Sequence, residues 1–514
     1  METTRLVVVS NRLAIVVEKG ADGQWLIKSG SGGLVTALGP VLRDRGGLWI
    51  GWLGSNLADP MDDDSLQELL DRGSRETGYT LKPVDLTEEE IQKYYFGFSN
   101  EILWPLFHDL PSRCNFNPAY WEVYERVNGK FAQAIADNTE AEKDYVWVHD
   151  YQLILVADQL RKMGVKRNTG FFLHIPFPPL DGFIRLPWRF QILEALLQYD
   201  LVGFQTVRDR RNFLDCVRML IPQSRVVGHG LVVKCYTPVR EVRVGTFAIS
   251  IDFKHFAEFA ETREVQDQAW IIHANLPDRQ LILGVDRLDY TKGITHRLQA
   301  FADALERYPD LRRKITLIQV VVPSRQNVPE YEALKREIER LVGEINGRFT
   351  DVGWIPINYM FRSLSQVELV AHYRTCEIAL VTPLKDGMNL VAKEYCASSI
   401  DDNGVLILSE FAGAAAQLQK GALLVNPYDI KGVADAIHEA FTMDVETCRK
   451  RMRMMRRSIQ KNDIFHWVNL FLQAAIHKDL SQFPRAEFFV PKPSASNGRG
   501  NKLRQDKMET SSPV

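Results

Sequence analysis

Two carboxylates, Asp386 and Glu394, stand eight positions apart in Val381-Thr382-Pro383-Leu384-Lys385-Asp386-Gly387-Met388-Asn389-Leu390-Val391-Ala392-Lys393-Glu394. The apolar run from Ile378 to Val381 reads as a buried strand that stops at Pro383. A Gly/Asn turn then leads into a helix beginning near Leu390. Open α/β sheets bind ligands where strands end and helix N-termini offer free N–H groups. Backbone amides beside two fixed anions suit a polar ligand with hydroxyls, such as a sugar. An ordinary strand–turn–helix whose Asp caps the helix would use the same residues.

Cations recur at comparable positions. In Arg287-Leu288-Asp289-Tyr290-Thr291-Lys292-Gly293, Arg287 follows the strand-like run Leu281–Val285 and Lys292 precedes the next helical pattern. Two cations at a strand's carboxyl end, beside a helix N-terminus, make a diphosphate clamp; two solvated loop charges are the plainer alternative. Pro323-Ser324-Arg325 repeats the arrangement after the following strand. Near the N-terminus, Ser10-Asn11-Arg12 closes the first strand-like run, and a short polar excursion leads to Ser29-Gly30-Ser31-Gly32-Gly33-Leu34. Gly32-Gly33 just before the helical pattern Leu34–Leu42 resembles a phosphate-cradling loop, since glycine lets the backbone approach an anion. It matches neither the dinucleotide fingerprint nor a P-loop. Tyr95, Trp104, Asp150 and His174 fall where strands end or turns begin, and aromatic faces with a carboxylate suit a pyranose. His149 and His174, taken singly, read more often as satisfied core histidines than as catalysts.

The elements that must position these groups alternate. Strand-like runs at Leu6–Val9, Leu48–Trp52, Tyr145–Val148, Gly170–His174, Leu201–Phe204, Leu281–Val285, Ile315–Val322, Glu377–Val381 and Val405–Leu408 are separated by helical patterns such as Ile294–Arg307 and Tyr331–Ile345. Such alternation predicts doubly wound parallel sheets. The runs form two sets, parted by a polar helical connector from Glu261 to Asn275. The architecture expected is α/β, two Rossmann-like domains facing across a cleft; irregular strand spacing disfavours a closed barrel. Residues 1–255 and 256–460 would be the two domains, 461–485 a helix packing back on the first, and 486–514 a disordered tail rich in Pro, Ser, Asn and Lys.

Bulk composition narrows the function. A formal net charge of −2 gives no global field for nucleic acid or an anionic membrane surface. The basic run Arg449 to Arg457 is interleaved with methionines at helical spacing and reads as one face of a surface helix. Six scattered cysteines without a Cys-x-x-Cys pair suggest reduced thiols rather than a disulfide framework or zinc site. Asp62-Asp63-Asp64 reads as a solvated acidic loop after Pro60. No signal-peptide pattern and no long apolar stretch stand out, so a cytoplasmic protein without a membrane or nucleic-acid partner is expected.

Seven motifs in order carry a resemblance: Leu6-Val7-Val8-Val9-Ser10-Asn11-Arg12, Ser31-Gly32-Gly33-Leu34, Leu103-Trp104-Pro105, Trp147-Val148-His149-Asp150-Tyr151, His174-Ile175-Pro176-Phe177-Pro178, Arg287 to Gly293, and the Asp386–Glu394 segment. Together, from about Arg5 to Phe471, they resemble the trehalose-6-phosphate synthases, retaining glucosyltransferases of family 20 with the GT-B fold. The resemblance implies transfer of glucose from UDP-glucose to glucose-6-phosphate, giving α,α-trehalose 6-phosphate and UDP in trehalose biosynthesis. It implies a donor site of Gly32, Gly33, Arg287, Lys292, Leu364, Asp386, Leu390, Val391, Ala392, Lys393 and Glu394. Within it Arg287 and Lys292 meet the diphosphate, Glu394 the ribose, Asp386 the glucose hydroxyls, Leu390 and Val391 the phosphates through backbone amides, and Leu364 the uracil. It implies an acceptor site in which Arg12, Tyr95 and Arg325 grip the phosphate, Asp150 the hydroxyls, and Trp104 with His174 select the α-anomer. Arg287, Lys292, Asp386 and His174 would form the catalytic centre, by front-face transfer without metal or other cofactor.

The domain-domain junction departs from the family pattern, with Ala248-Ile249-Ser250-Ile251-Asp252 where Pro usually stands first, and Lys385 replaces a frequent Arg. No phosphatase motifs follow Phe471, which makes the phosphorylated disaccharide the expected final product. Rival readings are a glucosylglycerol-phosphate synthase, a pseudoglycosyltransferase with a cyclitol acceptor, or a silent sugar-phosphate sensor. Donor base (UDP, GDP or ADP), regulation and a dimeric or tetrameric state stay open on the sequence.

Overall fold

Runs such as Val7-Val8-Val9 and Ile407-Leu408 are buried on both faces, as strands covered by helices on either side must be. The computed structural model describes residues 5–19, 25–30, 33–54, 63–324 and 329–476. Gly32, Arg325 and the tail expected to be disordered lie outside the described residues.

The first sheet has nine strands, in the order Thr80–Pro83, Leu48–Trp52, Arg5–Arg12, Asp144–His149, Asn168–Leu173, Leu201–Phe204, Glu241–Thr246, Val232–Tyr236 and Arg225–Val227. Its first seven strands run parallel and the last two pair antiparallel. The second sheet is wholly parallel, in the order Ile357–Phe361, Ile315–Val322, Gln280–Arg287, Ile378–Val381, Val405–Ser409 and Leu423–Val425. Helices cover both sheets, so the molecule is α/β with two doubly wound Rossmann-like units. All nine expected strand runs are present within three residues of their bounds. Two local expectations change. The polar excursion before Ser29 is an antiparallel hairpin, Ile15–Lys19 with Trp25–Ser29, and Asp63 opens the helix Asp63–Thr77 rather than sitting in an acidic loop.

The connector helix Arg263–Asn275 joins the units. At the junction Gln205 accepts from the Ile249 amide at 3.0 Å, and the Ile249 carbonyl accepts from Lys393 Nζ at 2.6 Å. The helix Ile464–Ile476 returns to the first sheet, where Phe471 stacks on Trp147 at 4.2 Å and Trp467 Nε1 donates to the Phe247 carbonyl. Gly170 is required beneath it, because a Cβ there would lie 2.8 Å from the Phe471 ring. Between Ile91 and Leu103 the chain forms a π-helix carrying Tyr95 and delivering Trp104. Such wide turns are rare and cluster at functional sites. No helix among the described residues is long and apolar enough to cross a membrane.

Candidate active site

In each sheet the parallel strands reverse their order once near the middle, and ligands bind at the carboxyl ends of such switch points. In the first sheet the reversal lies between the strands ending at Arg12 and His149, which brings Arg12 and Asp150 together. In the second it lies between the strands ending at Arg287 and Val381, which brings Arg287 and Lys292 beside the Asp386 turn. Residues 94 or more positions apart thus meet through topology.

The Asp386–Glu394 turn resolves the capping question. Asn389, in the left-handed region at φ 64°, is the N-cap, and its side chain accepts from the Ala392 amide at 3.2 Å. Asp386 organises the turn instead. Its Oδ1 accepts from the Met388 amide at 3.1 Å, and its Oδ2 from Lys292 Nζ at 2.5 Å and Asn389 Nδ2 at 3.3 Å. Burial alone would raise this carboxyl, but the Lys292 charge and hydrogen bond outweigh it and hold Asp386 below the usual carboxylate range. Since a carboxylate has about four acceptor positions, roughly one is left for a ligand hydroxyl. The cap consumes the Ala392 amide, and Lys393 sends its ammonium away to Ile249, so neither turns a side-chain group toward the cleft. Helix geometry leaves the Leu390 and Val391 amides without intrahelical acceptors. Glu394, one turn further on, accepts from the Tyr373 hydroxyl at 2.9 Å. Burial pushes its carboxyl up to about 7 against that hydrogen bond.

The clamp has a fixed part and a free one. Asp289 caps the short helix Tyr290–Lys292 by accepting from the Thr291 amide, which sets Lys292 with a side chain 13% exposed. Arg287 ends its strand exposed. Behind them Arg297, fully buried, donates to Asp286 at 2.6 Å and to Thr382 at 3.1 Å, tying the two central strands together. Leu364 lies partly buried in the loop before the helix Gln366–Thr375. Gly33 opens the helix Gly33–Arg45.

On the opposite wall, Arg12 lies over the rings of Trp52 and Tyr95, at 5.2 and 5.4 Å. Its corner is held by Trp49 donating to Ser10 and Tyr94 to Asn11. Trp104 stacks on His108 at 4.3 Å. Asp150 adopts φ 75° and ψ 169°, a conformation nearly restricted to glycine that costs on the order of 1–3 kcal/mol. Burial raises its carboxyl to about 7, while the amides of His174, Tyr151 and Ile175 and the Arg287 charge from the other unit pull it down. His174 is buried behind Asp150, donates its amide to Oδ1 at 3.1 Å, and reaches Met388 Sδ with Nδ1 at 3.2 Å. The two walls therefore touch. Lys385 pairs with Asp109 across the cleft, and a Cβ on Gly387 would lie 2.1 Å from the His174 carbonyl oxygen. Sequence reasoning did not find Asp109 or Tyr373 as parts of the site; Asp109 and Lys385 are 276 positions apart, and nothing local links them.

The profile of glycosyltransferase family 20 matches residues 4–477. The chain belongs to glycosyltransferase family 20. This family member is 45% identical over 478 residues to a trehalose-6-phosphate synthase of Mycolicibacterium vanbaalenii, covering 92% of the chain and 96% of that relative. Its structure superposes with a TM-score of 0.82 on a UDP-forming α,α-trehalose-phosphate synthase from Burkholderia xenovorans in complex with glucose-6-phosphate, at 35% identity, covering 92% and 99% of the two chains. It superposes with a TM-score of 0.81 on a structure from E. coli bound with UDP-2-fluoro glucose, at 36% identity and with the same coverage. The family 20 chain accordingly has the GT-B arrangement of two Rossmann-like units.

Proposed function

We infer that the chain is a retaining, UDP-forming glucosyltransferase that transfers glucose from UDP-glucose to glucose-6-phosphate, giving α,α-trehalose 6-phosphate. The observation that carries this is the meeting of both switch points: the Arg287, Lys292 and Asp386 constellation faces Arg12, Tyr95 and Asp150. The relatives named above bind the two expected substrate types by their own descriptions.

Departure of UDP builds negative charge on the β-phosphate, and fixed cations that meet this charge stabilise the transition state more than the ground state. Lys292 has three donors, of which Asp386 takes one, and the others serve the phosphate oxygens with Arg287. The Leu390 and Val391 amides add the positive end of their helix. Glu394 takes the ribose hydroxyls and Leu364 packs near the base. Asp150 takes acceptor hydroxyls, while Arg12, Tyr95 and Arg325 hold its phosphate. Gly32, Gly33 and Arg325 enter on the motif resemblance. With cations in these roles no metal is needed, so a chelator should leave the rate unchanged. The enzyme works in the cytoplasm, and any oligomer leaves the cleft within one chain.

UDP, GDP and ADP release from the three nucleotide-glucoses, each offered glucose-6-phosphate or glycerol-3-phosphate, tests the reading. Strong turnover is expected only with UDP-glucose and glucose-6-phosphate; nucleotide release with neither acceptor would sink it. Arg325→Ala should act mainly by raising the acceptor KM, and a pure kcat effect would remove Arg325 from the acceptor phosphate.

A further inference from the structure

His149 lies directly behind His174 and has no place in the function derived so far. It ends the strand Asp144–His149 wholly buried, and its ring sits 5.2 Å from that of His174 and 4.7 Å from Trp147. His149 Nδ1 lies 3.0 Å from His174 Nε2, and His174 Nδ1 lies 3.2 Å from Met388 Sδ. The chain of three groups can be read for protons. A thioether sulfur has lone pairs and no proton, so the hydrogen bond to Met388 requires the proton to sit on His174 Nδ1. Burial holds both imidazoles neutral, His174 down to about 3 and His149 well below its ordinary value. A neutral imidazole carries one N–H, so His174 Nε2 is an acceptor and His149 Nδ1 is its donor. His149 Nε2 then bears only a lone pair. It is buried and has no hydrogen-bond partner among the described residues, as that tautomer permits in an apolar wall of Trp147 and Trp467.

We propose that His149 is a positioning residue for glucosyl transfer: its Nδ1–H fixes the His174 tautomer that presents Nδ1–H to the sugar-binding turn at Met388. The proposal rests on the reading that the Asp386–Glu394 turn receives the transferred sugar. Without the His149 donor, His174 Nε2 becomes a buried acceptor with no partner. Only the weak Nδ1–H to sulfur bond then favours that tautomer, so the Nε2–H form, which turns a lone pair toward Met388 and the sugar, becomes populated.

Four variants and one spectrum test it. His149→Leu removes the donor, and kcat/KM is expected to fall about tenfold, the size of one buried hydrogen bond. His149→Asn carries an N–H close to the position of imidazole Nδ1–H and should regain most of that loss, which restored bulk alone would not do. In a His174→Ala background, His149→Leu should add less than about a twofold effect, because the residue acts only through His174. Nitrogen-15 shifts of selectively labelled histidines should give His174 as the Nδ1–H tautomer in the wild type and a mixture in His149→Leu. Equal losses in the Leu and Asn variants, additive losses in the double variant, or an Nε2–H tautomer in the wild type would each overturn the proposal. A His174→Ala enzyme at the wild-type rate would overturn it while leaving the transferase reading intact. No UDP release from the wild type would instead bring down that reading, and the positioning role with it.

Discussion

Replacing Lys292 with Met separates the two tasks its ammonium performs. The side chain is 13% exposed and its partner Asp386 10%, with 2.5 Å between the charged atoms. Breaking a buried pair from one side costs about 3–5 kcal/mol, because the remaining charge is stranded. Asp386 keeps the Met388 amide and Asn389 Nδ2, so the lower end, about 3 kcal/mol, is expected. The stranded carboxyl also acquires a pH signature. Burial without Lys292 pushes its folded value above the unfolded one of about 3.9, so the folded state binds the extra proton and stability falls as pH rises through that window. The deficit should be largest near neutrality and shrink below about pH 4, as read by urea unfolding at several pH values. Turnover, followed as UDP release, should drop roughly 10²–10³-fold, the cost of losing one transition-state donor. The double variant Lys292→Met with Asp386→Asn removes both charges. It should recover much of the stability and none of the rate. Recovery of turnover in that double variant to within about tenfold of wild type would refute the reasoning, since it would reduce Lys292 to a counterion for Asp386.

Three further outcomes are expected. The donor KM should rise as pH falls through about 7, because protonation removes the Glu394 acceptor; Tyr373→Phe, which deletes a hydrogen bond that holds that value down, should move the rise to higher pH, and Glu394→Gln should abolish it. The acceptor KM should show a similar rise centred on Asp150 at about 7, and Arg287→Ala should push it to higher pH by withdrawing a charge that favours the carboxylate; a profile indifferent to Arg287 would deny the contact between the walls. Gly387→Ala should cut kcat by more than about tenfold while the protein stays folded, because its methyl meets the His174 carbonyl at 2.1 Å and backbone must move on both walls.

The sheets were legible because parallel strands covered on both faces are written as continuous apolar runs, such as Ile315–Val322, and these found their places. The hairpin Ile15–Lys19 with Trp25–Ser29 was not, since charged residues at Glu18, Lys19 and Lys28 break the apolar pattern. The π-helical stretch was equally hidden: Tyr95 and Trp104 read as strand-end or turn positions, whereas Tyr95 lies inside the π-helix and Trp104 directly after it, because that hydrogen-bond register depends on packing. Of the site, Asp386, Arg287 and Lys292 were legible from their positions at strand ends. The identity of the cap was not, because Asp386 and Asn389 are both good capping residues and only φ at Asn389 decides between them. The placement of the Lys393 side chain was not legible either: it is fully buried and donates to the Ile249 carbonyl, close to the junction where the usual proline is replaced by Ala248.

That last contact bears on how the cleft is held. On the hinge side the contacts are buried: Lys393 to Ile249, Gln205 to the Ile249 amide, the Ile464 amide to the Ile251 carbonyl, and Trp467 to Phe247. Charge-assisted and buried hydrogen bonds of this kind are worth about 1.5–3 kcal/mol each to lose. At the mouth Lys385, 14% exposed, pairs with Asp109, 47% exposed, and Arg113 lies over the Tyr290 ring at 4.6 Å; a partly exposed pair of this kind is worth about 1 kcal/mol. The outer contacts are thus weaker than those on the hinge side, with the His174–Met388 contact between them. Closing brings Arg287 toward Asp150 and Gly387 onto the His174 carbonyl. Both of those contacts change the ionisation or geometry of groups that meet substrate. Any opening of the cleft would therefore undo the Lys385–Asp109 pair and the contacts of Arg287 with Asp150 and of Gly387 with His174 together, which ties the ionisation of Asp150 to how the two walls meet.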